Sequence, residues 1–215
     1  MSTAFFSMNL ENYILEHIDE EGEQLKALNR QAHVVLLRPR MIAGHLQGRI
    51  LKMLVRMQRP ERILEIGTYT GYATLCLAEG LTEKGEIHTI EIDDEMEDFI
   101  REQFEQSALK NKIHLHIGDA RYVVPRLEGC FDMVFIDADK RLYSEYYDLI
   151  FDKVRPGGII LADNTLWNGK VLEHPSDNDK QTLGILIFNE KIKQDKRIEK
   201  VILPLRDGLT VIYKR

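Results

Sequence analysis

Two short segments concentrate the residues that could do chemistry: Phe135-Ile136-Asp137-Ala138-Asp139-Lys140 and, further on, Asp163-Asn164. Each closes an apolar run, so oxygen donors gather at two strand ends. A hard divalent cation such as Mg2+, or else Mn2+ or Ca2+, takes oxygen ligands of this kind. Asp137, Asp163 and Asn164 would supply three oxygens and leave positions for substrate and water. The plain alternative is loop capping by Asp and Asn. Asp137 and Asp139 lie two apart and would face the same way if the strand continued through them, or be separated by the turn if it did not. Lys140 is the candidate general base. Its ordinary pKa is about 10.4 and needs a nearby cation to fall, whereas a solvated lysine needs no such explanation. Trp167 stands three residues past Asn164 and either stacks on an aromatic substrate or packs its own loop.

A second cluster follows the first apolar run: Leu64-Glu65-Ile66-Gly67-Thr68-Tyr69-Thr70-Gly71-Tyr72. Its glycines allow a tight turn and close approach of a ligand to the backbone. Glu91 ends the next run, about twenty residues on, where a carboxylate can accept from both ribose hydroxyls of a nucleoside. A dinucleotide site would need a third, middle glycine to bring helix amides onto a pyrophosphate. Here the pattern is Glu-x-Gly-x-x-x-Gly, with a carboxylate where an anion would be repelled. That suits a ligand with a cationic amino acid end, such as S-adenosylmethionine; the plain alternative is an ordinary strand-turn-helix with a glycine for geometry. Asp119, in Gly118-Asp119-Ala120, would contact an adenine edge or cap the following helix. His114-x-His116 falls inside a strand and reads as strand residues, not a metal pair. Cys76 reads as core.

The elements that position these clusters come from periodicity. The chain has 215 residues, is 44% hydrophobic and 30% charged, and carries a net charge of −6. That is ordinary for a globular α/β protein and argues against broad binding to nucleic acid or anionic membrane. Helical spacing covers 9–30 with a break near Gly22, then 46–57. After Pro60 the pattern alternates. Strands are predicted at 63–66, 87–92, 113–117, 133–137 and 159–162. Helices are predicted at 73–79, 95–108, 119–126 and 143–153. A helix at 180–194 precedes strands at 198–203 and 209–213, joined by a short Leu205-Arg206-Asp207-Gly208 turn. The expectation is a doubly wound, Rossmann-like α/β fold with a seven-stranded, mostly parallel sheet, a C-terminal antiparallel hairpin and extra N-terminal helices. One domain is expected, 1–58 forming a helical lid or interface and 60–215 the core. Cys76 and Cys130 cannot build a disulfide framework, so a reducing, cytoplasmic setting is expected; the N-terminus carries no positive charge before its apolar patch and no apolar run is long enough for a membrane span, so neither a signal peptide nor a span is expected.

At these residues the chain resembles the cation-dependent O-methyltransferases, the family of catechol and caffeoyl-CoA O-methyltransferases. The likeness runs from Arg38 to Thr210 and is most specific at 64–72, 135–140 and 163–169. It implies that Asp137, Asp163 and Asn164 hold the metal and that Lys140 is the base. It further implies that Ala43, Glu65, Gly67, Glu91, Ala120 and Asp139 contact S-adenosylmethionine and that Asn168 contacts substrate. Ala73 replaces a serine that commonly binds the methionine carboxylate, and Leu46-Gln47 replaces a charged or proline-containing pair. The expected reaction is methyl transfer to a hydroxyl of a catechol-like small aromatic molecule, by a homodimer. Two alternatives stand beside it: a tRNA wobble hydroxyuridine as acceptor, served by a local patch of Lys52, Arg56, Arg59 and Arg62, or a non-catalytic S-adenosylmethionine-binding protein.

Overall fold

Past Pro60 every predicted apolar run is a strand in the computed structural model, which describes residues 8–215. The chain forms two compact units that divide after Asp119. The first contains α1 (Met8–Glu16), α2 (Glu23–Val35), α3 (Gly44–Gln58), β1 (Arg62–Ile66), α4 (Tyr72–Gly80), β2 (Glu86–Glu91), α5 (Glu97–Glu105) and β3 (Ile113–Ile117). Its strands run parallel in the order β3-β2-β1. The break near Gly22 separates α1 from α2, and α2 stops at Val35, ahead of the Pro39–Met41 turn, where the residue before proline leaves the helical region. The predicted 95–108 helix is a 3-10 turn at Asp94–Met96 followed by α5, which ends at Glu105.

Leu25, Leu28 and Ala32 of α2 pack with Tyr72, Leu75 and Cys76 of α4 and with Ile100 and Phe104 of α5. The amphipathic N-terminal segment therefore shares this unit's core. Burying one such leucine contributes about 1.5–3 kcal/mol. Cys76 is part of that core, and burial pushes its thiol up to about 12, which keeps it protonated and unreactive.

The second unit contains α6 (Ala120–Val123), β4 (Phe131–Ile136), α7 (Tyr143–Phe151), β5 (Val154–Ala162), α8 (Lys180–Gln194), β6 (Ile198–Leu203) and β7 (Leu209–Lys214). β4 and β5 are parallel, while β7 runs antiparallel to both β5 and β6, as the hairpin reading requires. Among the described residues the strands make one seven-stranded, mostly parallel sheet. Two boundaries differ from expectation. β5 starts at Val154, five residues early, through Arg155-Pro156-Gly157-Gly158, and the β4–β5 register shifts between Phe131 and Met133. Proline and glycine hide such a strand from any apolar pattern. The 119–126 helix is only one turn, followed by a 3-10 turn at Val124–Arg126 that holds Pro125. Among the described residues no helix is long and apolar enough to cross a membrane.

Candidate active site

In the second unit Ile136 pairs with Ala162, so Asp137 and Asp163 leave adjacent parallel strands at the same level. The Asp163 amide donates to the Ile136 carbonyl at 3.0 Å, which extends the ladder one step past the strands. Asp163 is buried, Asp137 retains some exposure, and Asn164 follows in the left-handed region with φ 59°. Lys140 opens a 3-10 turn and is itself buried. Its Nζ donates to Asp137 Oδ1 at 2.7 Å and to Tyr143 Oη at 2.7 Å. Tyr143 Oη lies 3.0 Å from the Asp163 carbonyl and 3.2 Å from the Ile136 carbonyl. Burial, reinforced by the Asp137 and Asp163 carboxylates, drives its pKa well above the usual phenol value. Tyr143 thus stays a neutral hydroxyl, donating to backbone at the two strand ends and accepting from the lysine. Sequence reasoning missed this residue, although its three-residue spacing from Lys140 was visible.

Below Lys140 lies α8. At Gly184 an added Cβ would run into the Lys140 carbonyl oxygen and sit 2.7 Å from Arg141 Cα. The helix can carry no larger residue there without moving the turn that bears the lysine.

Asp139 goes elsewhere. Its carboxylate accepts from Arg141 through the backbone amide at 3.0 Å and through the guanidinium, whose hydrogen bonding holds it below the usual carboxylate range. The turn separates Asp139 from Asp137, as it must once β4 stops at Ile136. Trp167 and Asn168 both adopt positive φ, 46° and 53°; Trp167 is half-buried and Asn168 exposed. Their loop is anchored behind the site. The Thr165 and Leu166 amides donate to the Gly208 and Asp207 carbonyls at 3.0 and 2.7 Å, and Thr210 donates to Thr165 Oγ1 at 2.7 Å.

In the first unit the β1 turn meets the end of β2. Glu91 receives the Tyr69 amide at 2.6 Å and the Asp93 amide at 3.0 Å, and its own carbonyl accepts from the Gly118 amide at 2.7 Å. Gly67 and Gly71 take φ of 101° and 80°. At Gly71 a Cβ would strike the Phe104 ring, so neither conformation nor space admits a side chain. Glu65 is fully buried. It accepts from Thr89 Oγ1 at 2.6 Å and from Thr74 Oγ1, and ties β1 to β2 and α4 beneath the turn. Ala73 is half-buried at the start of α4, and Ala43 packs in the α2–α4–α5 core. Asp119 is half-buried at the end of this unit; Ala120 is buried at the start of the next. Of the basic residues noted in 52–62, Lys52 bonds Glu79 and Arg62 bonds Glu86, which neutralises part of that patch.

The arrangement fits the two groups anticipated from sequence. Asp137, Asp163 and Asn164 offer only oxygen donors of the hard type at one pair of strand ends. Gly71 takes a positive φ with the Phe104 ring packed against it, and the Glu91 carboxylate beside the turn keeps acceptor capacity beyond the two amides it receives. A family model for O-methyltransferases matches residues 15–215. The chain belongs to the O-methyltransferase family. It is 29% identical to a probable caffeoyl-CoA O-methyltransferase of Dictyostelium discoideum, over 97% of this chain and 93% of that protein. It is 30% identical to a catechol O-methyltransferase of Niastella koreensis, over 91% and 93%. An SAH-bound methyltransferase of Podospora anserina superposes with a TM-score of 0.88 at 28% identity, over 96% of this chain and 94% of that one.

Proposed function

We propose that this O-methyltransferase moves the methyl group of S-adenosylmethionine to one hydroxyl of a small aromatic acceptor with two vicinal oxygens, with a divalent cation held by Asp137, Asp163 and Asn164. The observation that carries the reading is the level pairing of Asp137 and Asp163, with Lys140 Nζ held 2.7 Å from Asp137. Catechol and caffeoyl-CoA methyltransferases among its relatives support the acceptor class. When bound, the cation supplies electrostatic stabilisation of the ionised acceptor and lowers the pKa of its hydroxyls. Lys140, as the neutral amine, takes the hydroxyl proton at Nζ and becomes the ammonium that pairs with Asp137. It is oriented for this by Tyr143, which remains protonated and fixes one side of the ammonium or amine. Glu91 holds the ribose hydroxyls of the cofactor, and the 67–71 turn receives its amino acid end. Charge is neutralised as an oxyanion meets a sulfonium, so the barrier falls chiefly through positioning and exclusion of water. Trp167 and Asn168 contact the acceptor from their loop.

The protein acts in the cytoplasm as a homodimer joined through its N-terminal helices, a reading supported by exposed Val34, Val35 and Leu37; sedimentation velocity tests the dimer. The acceptor class is tested by S-adenosylhomocysteine formation on a panel of dihydroxyphenyl compounds and their monohydroxy analogues. Turnover confined to the vicinal dihydroxy members is expected. Equal turnover on monohydroxy analogues, or turnover only on tRNA, refutes it.

A further inference from the structure

The first unit carries a second group of ligand-type side chains, on the sheet face opposite Glu65, Thr89 and Glu91. Residues alternate faces along a strand, so Glu86 and His88 share one side of β2, and the register places His114 beside His88 and His116 beside Ile90. Glu86 Oε1 lies 3.2 Å from His88 Nε2, and Glu86 Oε2 lies 3.3 Å from His114 Nε2. All three ligand atoms fall within 4.8 Å of one another. A four-coordinate zinc ion with bonds of about 2.0–2.1 Å sets its ligand atoms about 3.3 Å apart; each histidine nitrogen stands at that distance from a different Glu86 oxygen, so binding through one oxygen requires the three side chains to draw in.

His88 Nε2 lies 3.3 Å from Arg62 Nη2, a donor, and 3.2 Å from Glu86 Oε1, an acceptor, so its neighbours fix neither tautomer. His88 Nδ1 lies 3.0 Å from His116 Nε2, and one of these two nitrogens donates to the other. A second ring nitrogen tied in this way is how metal-binding histidines are oriented. Arg62 also donates to Glu86 Oε1 at 2.8 Å, so a guanidinium now spans the two groups that a metal cation would join.

We infer that Glu86, His88 and His114 bind a borderline divalent cation of the zinc class, with His116 orienting His88 from behind. Two imidazoles and one carboxylate prefer such a metal to Mg2+, which separates this site chemically from the all-oxygen set at Asp137, Asp163 and Asn164. Occupancy would clip β3, the strand at the sheet edge, to β2.

The test titrates Co2+, as a visible surrogate for zinc, into tag-free full-length protein with Mg2+ in excess to fill the oxygen donors. The expected result is one equivalent of cobalt with the intense visible bands of four-coordinate geometry, displaced by Zn2+ and retained in Asp163→Ala. His114→Ala, a change at an exposed side chain, should abolish the bands, and His116→Ala should weaken binding by about 10–100-fold. Zn2+ should also raise the melting temperature of the wild type and leave that of His114→Ala unchanged. Absence of the bands, their persistence in His114→Ala, or their loss in Asp163→Ala would overturn the assignment.

Discussion

Gly184→Ala separates helix propensity from the positioning of Lys140. Gly184 lies inside α8, where alanine would ordinarily favour the helix by about 1 kcal/mol. Here the added Cβ would lie 2.7 Å from Arg141 Cα and 3.0 Å from the Lys140 carbonyl carbon, besides overlapping the Lys140 oxygen. Carbon atoms settle at about 3.5 Å or more, so the backbone of the turn must retreat by about 0.8 Å. Overpacking of this order costs about 1–3 kcal/mol, which the helical gain offsets in part, for a net loss of roughly 0–2 kcal/mol. The effect on activity is larger. Lys140 is held by two hydrogen bonds of 2.7 Å, and a displacement near 1 Å at a reacting group costs on the order of 100-fold in rate. Thermal denaturation and S-adenosylhomocysteine formation, measured on the same preparation, check both numbers. A variant with a raised melting temperature and full turnover would refute the claim that α8 positions the lysine.

Other substitutions probe other links. Tyr143→Phe removes the hydroxyl that serves two carbonyls and Lys140; a stability loss of about 1–3 kcal/mol and a fall in kcat with little change in KM are expected from denaturation and steady-state kinetics. Lys140→Met should lower kcat by roughly 100- to 10,000-fold while cofactor binding, followed by calorimetry, persists. Gly71→Ala forces a side chain against Phe104 at positive φ and should weaken S-adenosylmethionine binding in the same calorimeter, together with a stability loss of about 1–3 kcal/mol. Asp195 is held below the usual carboxylate range by hydrogen bonding to Arg197, and it also accepts from Tyr147 Oη at 2.9 Å. A depressed folded-state pKa stabilises above the unfolded value of about 3.9 and ceases to do so as pH falls through the folded one. The melting-temperature gap between wild type and Asp195→Asn should therefore be full near neutrality and close in strong acid; a gap independent of pH contradicts this.

Strands made of Ile and Val runs were legible in the sequence, and with them the level at which Asp137 and Asp163 emerge, because two parallel apolar runs in register set their next residues side by side. The start of β5 was not, since Arg155-Pro156-Gly157-Gly158 carries no apolar period and lies between the Phe131–Val154 and Met133–Ile159 pairs, where the register with β4 shifts. Side-chain partners were largely hidden as well. Tyr143 beneath Lys140, Thr74 and Thr89 around Glu65, and Gly184 against the lysine turn all depend on elements that only the folded chain brings together. The divergence of Asp139 from Asp137 turned on a single residue, the end of β4 at Ile136, which periodicity cannot fix so closely. His114 and His116 of β3 read as ordinary strand residues because their partner, His88, lies across the ladder, in register with His114.

The most direct test of metal-assisted methyl transfer at the β4 and β5 ends is a Mg2+ titration of EDTA-treated protein with S-adenosylmethionine and a dihydroxyphenyl acceptor. Turnover should rise from background to saturation in the wild type and remain at background in Asp163→Ala. Undiminished turnover in EDTA, or full turnover in Asp163→Ala, would contradict the account.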